Sequence, residues 1–233
     1  MKKQSRHLMQ HLKQQPIIRI HKGWGNNLSR PFLEGEVMKN DNLTLVLGGA
    51  KSGKSEFAES LYSRDQRVCY IATGVVKNPD GEMQLRIKRH QARRSSKWTT
   101  AEQYRGVADL IIKHPLDGYL LDDAIMLVTN LFYDDVLTRT SAEKIDEYLS
   151  TATMDEFARL RHMILHEWGK ILQVQAATGQ SMVIVSDEVG LGVVPATKQT
   201  RVLRDLYGEV NQLIAKQAEN VYFVVSGIPQ KIK

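Results

Sequence analysis

The sequence predicts an α/β fold with an open, mostly parallel sheet and helices on both faces. Two patterns predict this fold. Strand-sized apolar runs without polar alternation are typical of strands buried on both faces of a parallel sheet, and they occupy residues 43–47, 68–72, 119–121, 182–186 and 221–225. Segments of helical periodicity alternate with these runs and occupy residues 56–63, 82–94, 141–177 and 199–218. In such folds, ligands bind at the carboxyl ends of the strands.

The chain is predicted to consist of a basic extension followed by one principal domain. Its 233 residues, 42% of them apolar, suffice for one sizeable core. Residues 1–42 are polar, weakly periodic and interrupted by prolines and glycines, so we expect a flexible N-terminal extension there. Residues 43–233 hold the strand and helix patterns and form the predicted domain.

The net charge of +6 lies mostly in the extension, which argues against a nucleic-acid partner. Residues 1–42 hold eight Lys or Arg and three Asp or Glu, a net charge of +5, so residues 43–233 carry about +1. A surface that binds a phosphate backbone needs clustered Lys and Arg with interleaved aromatic residues on the folded domain. We therefore expect no nucleic acid as a partner.

The cysteine content and hydropathy predict a cytoplasmic protein with no membrane span. Cys69 is the single cysteine, so no intrachain disulfide can form and a reducing compartment fits. No segment approaches the roughly 20 consecutive apolar residues of a membrane span. The N-terminal residues also lack the apolar core of a secretion signal.

A phosphate-binding loop is predicted between the first strand and the first helix. Residues 48–55 match the pattern G-x-x-x-x-G-K-[ST] in the strand–loop–helix context that this motif requires. They are Gly48, Gly49, Ala50, Lys51, Ser52, Gly53, Lys54 and Ser55. The glycines let backbone N–H groups wrap a phosphate at the helix N-terminus. Lys54 is expected to reach the β- and γ-phosphates, and the Ser55 hydroxyl is expected to bind Mg²⁺.

An enzyme with such a loop also needs a carboxylate that holds the metal, usually at the end of a neighbouring strand. Asp122 directly follows the third apolar run and is the first candidate for Mg²⁺. Asp123 and the pair Asp187 and Glu188 are the alternatives. A turn acid without a metal remains the other interpretation of Asp122.

The helix predicted over residues 82–94 places Arg86, His90 and Arg94 on one face. Neighbouring positive charge disfavours the imidazolium form, so His90 is expected to stay neutral and able to attack phosphorus. The arginines are suited to neutralise the phosphates of a nucleotide. From composition alone, a solvated basic helix with an incidental histidine is the simpler interpretation.

Several further blocks accompany the loop and the His90 helix, and together they resemble one known family. These blocks read YIAT at 70–73, WTTAE at 98–102, VTNL at 128–131, EVGLGVVP at 188–195, RD at 204–205, NQ at 211–212 and VVSG at 224–227. Over roughly residues 43–233 the chain resembles the bifunctional adenosylcobinamide kinase/adenosylcobinamide-phosphate guanylyltransferase family. The 188–195 block and the His90 helix are the most specific parts of this resemblance.

The resemblance implies two successive reactions in cobalamin biosynthesis. Adenosylcobinamide would first be phosphorylated on its aminopropanol hydroxyl by ATP or GTP. GMP would then pass from GTP to the adenosylcobinamide phosphate, giving adenosylcobinamide-GDP and pyrophosphate. The resemblance further implies a RecA-like P-loop NTPase that assembles as a homotrimer. It also implies a covalent GMP–histidine intermediate, for which His90 is the aligned residue.

The resemblance also implies where nucleotides bind and which residues act. Lys54 and His90 would be catalytic. Besides the phosphate loop and Asp122, the implied nucleotide contacts are Ala72, Thr73, Gly74, Gln91, Ala92, Arg93, Arg94 and Glu102. Arg93 or Arg94 is expected to offset charge at the α-phosphate, and Glu102 is expected to orient the guanine or the ribose.

The chain departs from the family pattern at three positions near these contacts. Lys51 stands where arginine is common, Asp123 where cysteine is frequent, and Asp187 where asparagine is frequent. The two added carboxylates bring negative charge near the expected phosphates. They therefore bear on metal number and nucleotide preference.

Two other classes of protein share the phosphate loop. A small P-loop kinase of metabolites or nucleotides would keep Lys54, Ser55 and Asp122 but would need no His90. A regulatory GTP-binding switch usually carries an Asn-Lys-x-Asp motif that recognises guanine, and the sequence contains none.

Overall fold

The computed structural model describes residues 40–75 and 93–233, and the described strands form one seven-stranded sheet. The strands are β1 (Asn40–Gly48), β2 (Val68–Ala72), β3 (Thr99–Glu102), β4 (Gly118–Asp122), β5 (Ser181–Asp187), β6 (Ala218–Val225) and β7 (Ile228–Lys231). Their order is β3-β2-β4-β5-β1-β6-β7. Every pairing in the sheet is parallel except that of β6 with β7. The predicted mostly parallel sheet of an α/β fold is confirmed.

Helices cover both faces of this sheet. They are α1 (Lys54–Ser60), α2 (Val107–Lys113), α3 (Ala124–Val136), α4 (Ile145–Thr151), α5 (Met154–Thr178) and α6 (Lys198–Gln217), with a 3₁₀ turn at Ala142–Lys144. Leu43, Leu45 and Leu47 pack into a large core that includes the buried residues of α2 to α6. Val46 points to the opposite face, where it shares a smaller core with Ala58 of α1. None of the helices in the described ranges is long and apolar enough to cross a bilayer.

The segment 141–177, predicted as one helical stretch, is divided in the structure. α4 ends at Thr151 and α5 begins at Met154. Thr153 between them caps α5, because its hydroxyl accepts a hydrogen bond from the Glu156 N–H while the Glu156 carboxylate accepts one from the Thr153 N–H at 2.8 Å. This reciprocal capping satisfies two N–H groups that a helix start leaves without partners, and so it favours a new helix there.

The predicted extension and the His90 helix fall almost entirely outside the described residues. Of the extension, the structure describes residues 40–42, which belong to β1. Of the helix predicted over residues 82–94, it describes Arg93 and Arg94. The domain boundary at residue 43 therefore stays a prediction.

The sheet brings the carboxyl ends of β1, β4 and β5 to one edge. β5 lies between β1 and β4, and its last residue, Asp187, is in register with Gly48. On the other side of β4, Ala72 at the end of β2 is in register with both Asp122 and Glu102. The phosphate loop, two carboxylates of neighbouring strands and Glu102 therefore share this edge.

Candidate active site

The phosphate loop follows β1 and needs glycine at two positions for steric reasons. A methyl group on Gly48 would lie 2.5 Å from the Ser52 Oγ and 2.7 Å from the Val224 carbonyl oxygen, distances that no real contact tolerates. Gly53 has a φ of 93° at the start of α1, where its carbonyl accepts the Phe57 N–H at 3.0 Å. Because side chains disfavour this left-handed region, glycine allows the chain to enter the helix directly from the loop.

Backbone hydrogen bonds fix the loop to the strands around it. The Ser52 N–H donates to the Gly49 carbonyl at 3.2 Å, and the Ser52 carbonyl accepts the Gly227 N–H at 2.7 Å. The Gly48 carbonyl accepts the Glu188 N–H at 3.2 Å. The turn after β6 and the segment after β5 thus hold the loop in shape. N–H groups that are already oriented toward a phosphate need little reorganisation when it binds.

Lys54 is the first residue of α1, and its ammonium group is already engaged. It forms an ion pair with Asp187 and donates to the Gly49 carbonyl at 3.3 Å. The Lys54 side chain is only 11% exposed, compared with 29% for Asp187. The loop therefore holds its lysine close to the phosphate-binding backbone and beside a carboxylate.

Asp122 is oriented by a tyrosine of the neighbouring strand. The Tyr70 hydroxyl donates to the Asp122 Oδ2 at 2.8 Å. Burial raises the pKa of Tyr70, and the nearby Asp122 charge adds to the rise, so the phenol remains a donor at neutral pH. This hydrogen bond fixes one carboxylate oxygen of Asp122 at the end of β4.

Arg93 and Arg94 contact α1 through a shared carboxylate. The Nε atoms of Arg93 and Arg94 lie 3.3 Å and 3.2 Å from the two carboxylate oxygens of Glu59. The Arg94 guanidinium also lies over the Tyr70 ring, 3.2 Å from its centroid. Its side chain is 7% exposed, whereas that of Arg93 is 38% exposed. Arg94 is thus buried beside the strand that orients Asp122, and Arg93 is the more accessible cation.

Thr73 connects β2 to the segment after β4. Its hydroxyl donates to the Asp123 carbonyl at 2.6 Å and accepts the Asp123 N–H at 3.0 Å. The Asn130 side chain on α3 donates to the Thr73 carbonyl at 2.8 Å. The fully buried Thr73 therefore fixes the backbone next to Asp122, which gives the VTNL block a structural role.

Comparison with known proteins assigns the family. The sequence model described as cobinamide kinase / cobinamide phosphate guanyltransferase matches residues 44–232. The chain belongs to this family.

This chain covers nearly the whole length of three curated relatives. The bifunctional adenosylcobalamin biosynthesis proteins CobU of Escherichia coli (strain K12) and Salmonella typhimurium are 35% and 38% identical to it over 193 residues, 82% of this chain and 99% of each relative. The corresponding protein CobP of Pseudomonas aeruginosa is 34% identical over 192 residues, 81% of this chain and 96% of the relative. The family resemblance predicted from the sequence is confirmed.

One solved structure that matches part of this chain is that of a KaiC-like protein from Pyrococcus horikoshii OT3. It is 9% identical to this chain, with a TM-score of 0.36, and the match covers 80% of this chain and 72% of that one. A similarity of this size carries no functional conclusion.

The structure brings together most of the predicted site residues of this family member at one sheet edge. These are the loop residues 48–55 between the end of β1 and the first turn of α1, Ala72 at the end of β2 with Thr73 and Gly74 after it, Glu102 at the end of β3, and Asp122 at the end of β4. Arg93 and Arg94 reach the same region through Glu59. His90, Gln91 and Ala92 lie outside the described residues, so their roles stay predictions.

Ser55 and Asp122 suit a magnesium ion whose other ligands come from the nucleotide and from water. Within the described ranges, no group of three or more His, Cys, Asp and Glu side chains could by itself hold a metal. Mg²⁺ in nucleotide sites usually keeps several waters and takes only one or two protein ligands besides the phosphates. Ser55 in the first turn of α1 and Asp122, oriented by Tyr70, fit that requirement.

Asp123, the alternative metal ligand, serves as the N-cap of α3. Its Oδ1 accepts the Met126 N–H at 2.7 Å. Burial raises the pKa of the Asp123 carboxyl to about 6; the Met126 hydrogen bond and Lys54 oppose the rise, while the charges of Asp122 and Asp187 add to it. Asp123 is therefore a capping residue whose ionisation the folded state disfavours.

Replacement of Asp123 by asparagine is expected to stabilise the fold at high pH. Because its pKa is higher in the folded state than its ordinary 3.8, the Asp123 contribution to stability is fully present below pH 3.8 and is lost as pH rises through 6. An asparagine side chain at this position cannot ionise and still caps the helix. Urea unfolding of Asp123→Asn should give a free energy of unfolding on the order of 1–3 kcal/mol above the original chain at pH 8.

The difference between Asp123→Asn and the original chain should shrink toward pH 4. The matched control is Asp205→Asn, since the Asp205 side chain is exposed on α6, and it should show no such pH-dependent gain. A gain for Asp123→Asn that stays constant from pH 4 to pH 8 would contradict this electrostatic account.

The structure adds contacts around the candidate site that the sequence patterns missed. They are the Lys54–Asp187 ion pair, the Tyr70–Asp122 hydrogen bond, and the contacts of Arg93 and Arg94 with Glu59. The signals available were a tyrosine inside a buried strand of otherwise small or aliphatic residues and a glutamate on the helix after the loop. Neither signal identifies the residue that the side chain contacts.

Proposed function

We propose that this family member phosphorylates adenosylcobinamide and then converts the product to adenosylcobinamide-GDP. In the first reaction, the aminopropanol hydroxyl of adenosylcobinamide attacks the γ-phosphorus of ATP or GTP, and a nucleoside diphosphate leaves. In the second, the new phosphate receives GMP from GTP, and pyrophosphate leaves. The observation that carries this proposal is the family match over residues 44–232, which includes an intact phosphate loop.

The phosphate loop is the part of the site that both reactions share. Residues 48–55 present backbone N–H groups at the N-terminus of α1, where the helix dipole favours a negative charge. Lys54 adds a full positive charge from a side chain that is already largely desolvated. The loop binds the leaving pyrophosphate in guanylyl transfer, and in the kinase reaction it binds the phosphates from which the nucleotide's terminal group departs.

The metal proposed for this site is Mg²⁺, held by Ser55 and Asp122. When bound, Mg²⁺ offsets the negative charge of the phosphate oxygens. Tyr70 fixes the Asp122 carboxylate through a hydrogen bond of 2.8 Å, so this ligand does not have to be ordered when the nucleotide arrives. The remaining coordination positions are left to phosphate oxygens and water.

His90 is the proposed carrier of GMP. A neutral imidazole nitrogen attacks the α-phosphorus of GTP, a P–N bond forms, and the bond from the α-phosphorus to the bridging oxygen breaks to release pyrophosphate. An oxygen of adenosylcobinamide phosphate then attacks the same phosphorus, and the P–N bond breaks to restore the imidazole. Each displacement exchanges one bond at phosphorus for another. A single nucleotide site can thereby serve two acceptors in turn.

The remaining nucleotide contacts are proposed from their position at the sheet edge. Ala72 ends β2, Thr73 and Gly74 follow it, and Glu102 is in register with Ala72 and exposed. Arg93, the more accessible of the two arginines, is suited to offset charge at the α-phosphate, while Arg94 supports the site through Glu59 and Tyr70. Gln91 and Ala92 complete the set implied by the resemblance.

The covalent step is tested by incubation of the chain with GTP labelled at the α-phosphate. The expected result is a radioactive band on a denaturing gel that acid removes and alkali does not, as befits a phosphoramidate. GTP labelled at the γ-phosphate should leave no label. A chain that forms adenosylcobinamide phosphate but never gains the α-label would act as a metabolite kinase without a covalent intermediate.

A homotrimer in the cytoplasm is the proposed state of the protein. Three large apolar side chains of the segment after β5, Leu191, Val193 and Val194, are exposed in the single chain, and exposed apolar segments often mark contact surfaces. Cys69 is buried, and burial raises the pKa of its thiol, as suits a cysteine that stays reduced. Light scattering should give the mass of three 26.5 kDa chains; a monomer at micromolar concentration contradicts the assembly.

A further inference from the structure

The lysine of the phosphate loop has a carboxylate partner that is not needed to bind phosphate. The Lys54 ammonium forms an ion pair with Asp187, and the two side chains are 11% and 29% exposed. A partly buried ion pair is held more strongly than one in water, because the surroundings screen the charges less. A triphosphate that enters the loop must therefore draw Lys54 away from Asp187 or share it.

Hydrogen bonds to α6 hold the backbone of Asp187 in place. It is the last residue of β5 and is in register with Gly48 of the phosphate loop. The Asn211 side chain on α6 donates to the Asp187 carbonyl at 3.1 Å, and the Ser186 hydroxyl donates to the Asn211 Oδ1 at 2.6 Å. These two hydrogen bonds fix the backbone from which the carboxylate extends, so its negative charge remains near the loop.

We propose that Asp187 is a positioning residue that competes with the triphosphate for Lys54 and makes nucleotide binding depend on an accompanying divalent cation. The proposal rests on the proposed function, because it requires that Lys54 bind nucleotide phosphates. Without nucleotide, Asp187 holds the ammonium against the base of the loop. With nucleotide, the carboxylate faces the phosphates as a like charge.

A cation that arrives with the nucleotide removes most of this repulsion. Asp122 and Asp187 are the last residues of the paired strands β4 and β5, so two carboxylates lie at the strand ends beside the loop that carries Lys54. A triphosphate without metal adds further negative charge to this group. Mg²⁺ bound to the phosphates brings two positive charges, so the site accepts the metal complex of the nucleotide and discriminates against the free nucleotide.

The test compares binding of GTP to the purified full chain with and without Mg²⁺. Isothermal titration or a fluorescent GTP analogue measures Kd for the original chain and for Asp187→Asn, in excess EDTA and in excess Mg²⁺. In EDTA, Asp187→Asn should bind GTP about tenfold more tightly, because one like charge beside the phosphates is gone. In Mg²⁺ the gain in GTP affinity should fall to about twofold. The proposal is therefore tested by the gain in affinity in EDTA divided by the gain in affinity in Mg²⁺.

Control variants separate the effect of the Asp187 charge from structural effects of the substitution. Asp187→Glu keeps the charge and should keep a strong dependence of affinity on Mg²⁺. Asp205→Asn removes a carboxylate whose side chain is 73% exposed on α6, and it should change neither Kd. If Asp187→Asn does not fold, Asp187→Ser removes the same charge with a smaller side chain and answers the same question.

The proposal is overturned if GTP binds the folded neutral variant no more tightly than the original chain in EDTA. It is equally overturned if the gain is the same with and without Mg²⁺. An original chain that binds no GTP in either condition would instead refute the proposed function. The two failures are therefore distinguishable.

Discussion

Replacement of Lys54 by alanine is expected to abolish both enzymatic activities. The substitution removes the charge that the loop offers to the β- and γ-phosphates and leaves Asp187 without its partner beside them. Loss of a single charge-stabilising donor in an active site typically lowers kcat by roughly 10²–10³-fold. The kinase should be measured by formation of adenosylcobinamide phosphate, and the transferase by release of pyrophosphate from GTP supplied with that phosphate. Both should fall by at least this factor.

The matched control for Lys54→Ala is Lys97→Ala. Lys97 forms an exposed ion pair with Asp65 at 3.1 Å, and such surface pairs contribute little to stability. Both variants should keep the far-ultraviolet spectrum of the original chain, but only Lys54→Ala should lose GTP binding. A Lys54→Ala chain that keeps either reaction at its original rate would show that this reaction uses another phosphate site.

The sheet could be predicted from the sequence wherever its strands are buried. Val68–Ala72 was predicted with the bounds that the structure has, because its buried apolar residues leave no other pattern. The edge strands Thr99–Glu102 and Ile228–Lys231 were missed. Their side chains are mostly exposed, so no hydrophobic pattern marks them, and their place in the sheet depends on pairing with distant strands.

Two helices were also missed, and the stretch predicted as helical over residues 141–177 is divided in the structure. α2 and α3 follow strands closely and are short or strongly apolar, so a helical period is difficult to distinguish there. The break inside residues 141–177 could have been recognised, since Thr153 and Glu156 have the spacing of a capping box. Apolar residues continue at helical spacing on both sides of the break, so this periodicity alone does not show where α4 ends and α5 begins.

The candidate site could be predicted only as far as its local motif and its strand ends. The loop 48–55 has a sequence signature, and Asp122 is marked by the apolar run before it. The contacts that orient these residues join distant positions: Tyr70 with Asp122, Glu59 with Arg94, and Lys54 with Asp187. Each depends on which strands and helices become neighbours, and no local pattern encodes that.

These orienting contacts share one consequence for the site. Arg94 stacks on Tyr70, whose hydroxyl holds Asp122, while Glu59 joins Arg93 and Arg94 to the helix that begins with Lys54. Arg93 and Arg94 are thereby connected to both the proposed metal ligand and the phosphate loop.

Replacement of His90 by alanine is expected to separate the two reactions. If His90 carries GMP, the variant has no nucleophile for the α-phosphorus, and guanylyl transfer together with the α-label on the protein should fall by roughly 10³-fold or more. The kinase reaction needs only the loop, Lys54 and the metal ligands, so its kcat and KM should stay within about twofold of the original values.

A comparison of the kinase and transferase activities of His90→Ala distinguishes a chemical role of His90 from a structural one. A structural histidine would support both reactions, because both use the same phosphate loop, and its loss would lower them together. The control is His162→Ala, which removes an exposed imidazole on α5 and should affect neither reaction. Equal loss of both activities in His90→Ala would therefore show that the role of His90 is structural. Loss of transfer alone, in a chain that still phosphorylates adenosylcobinamide, would place the covalent bond on its imidazole.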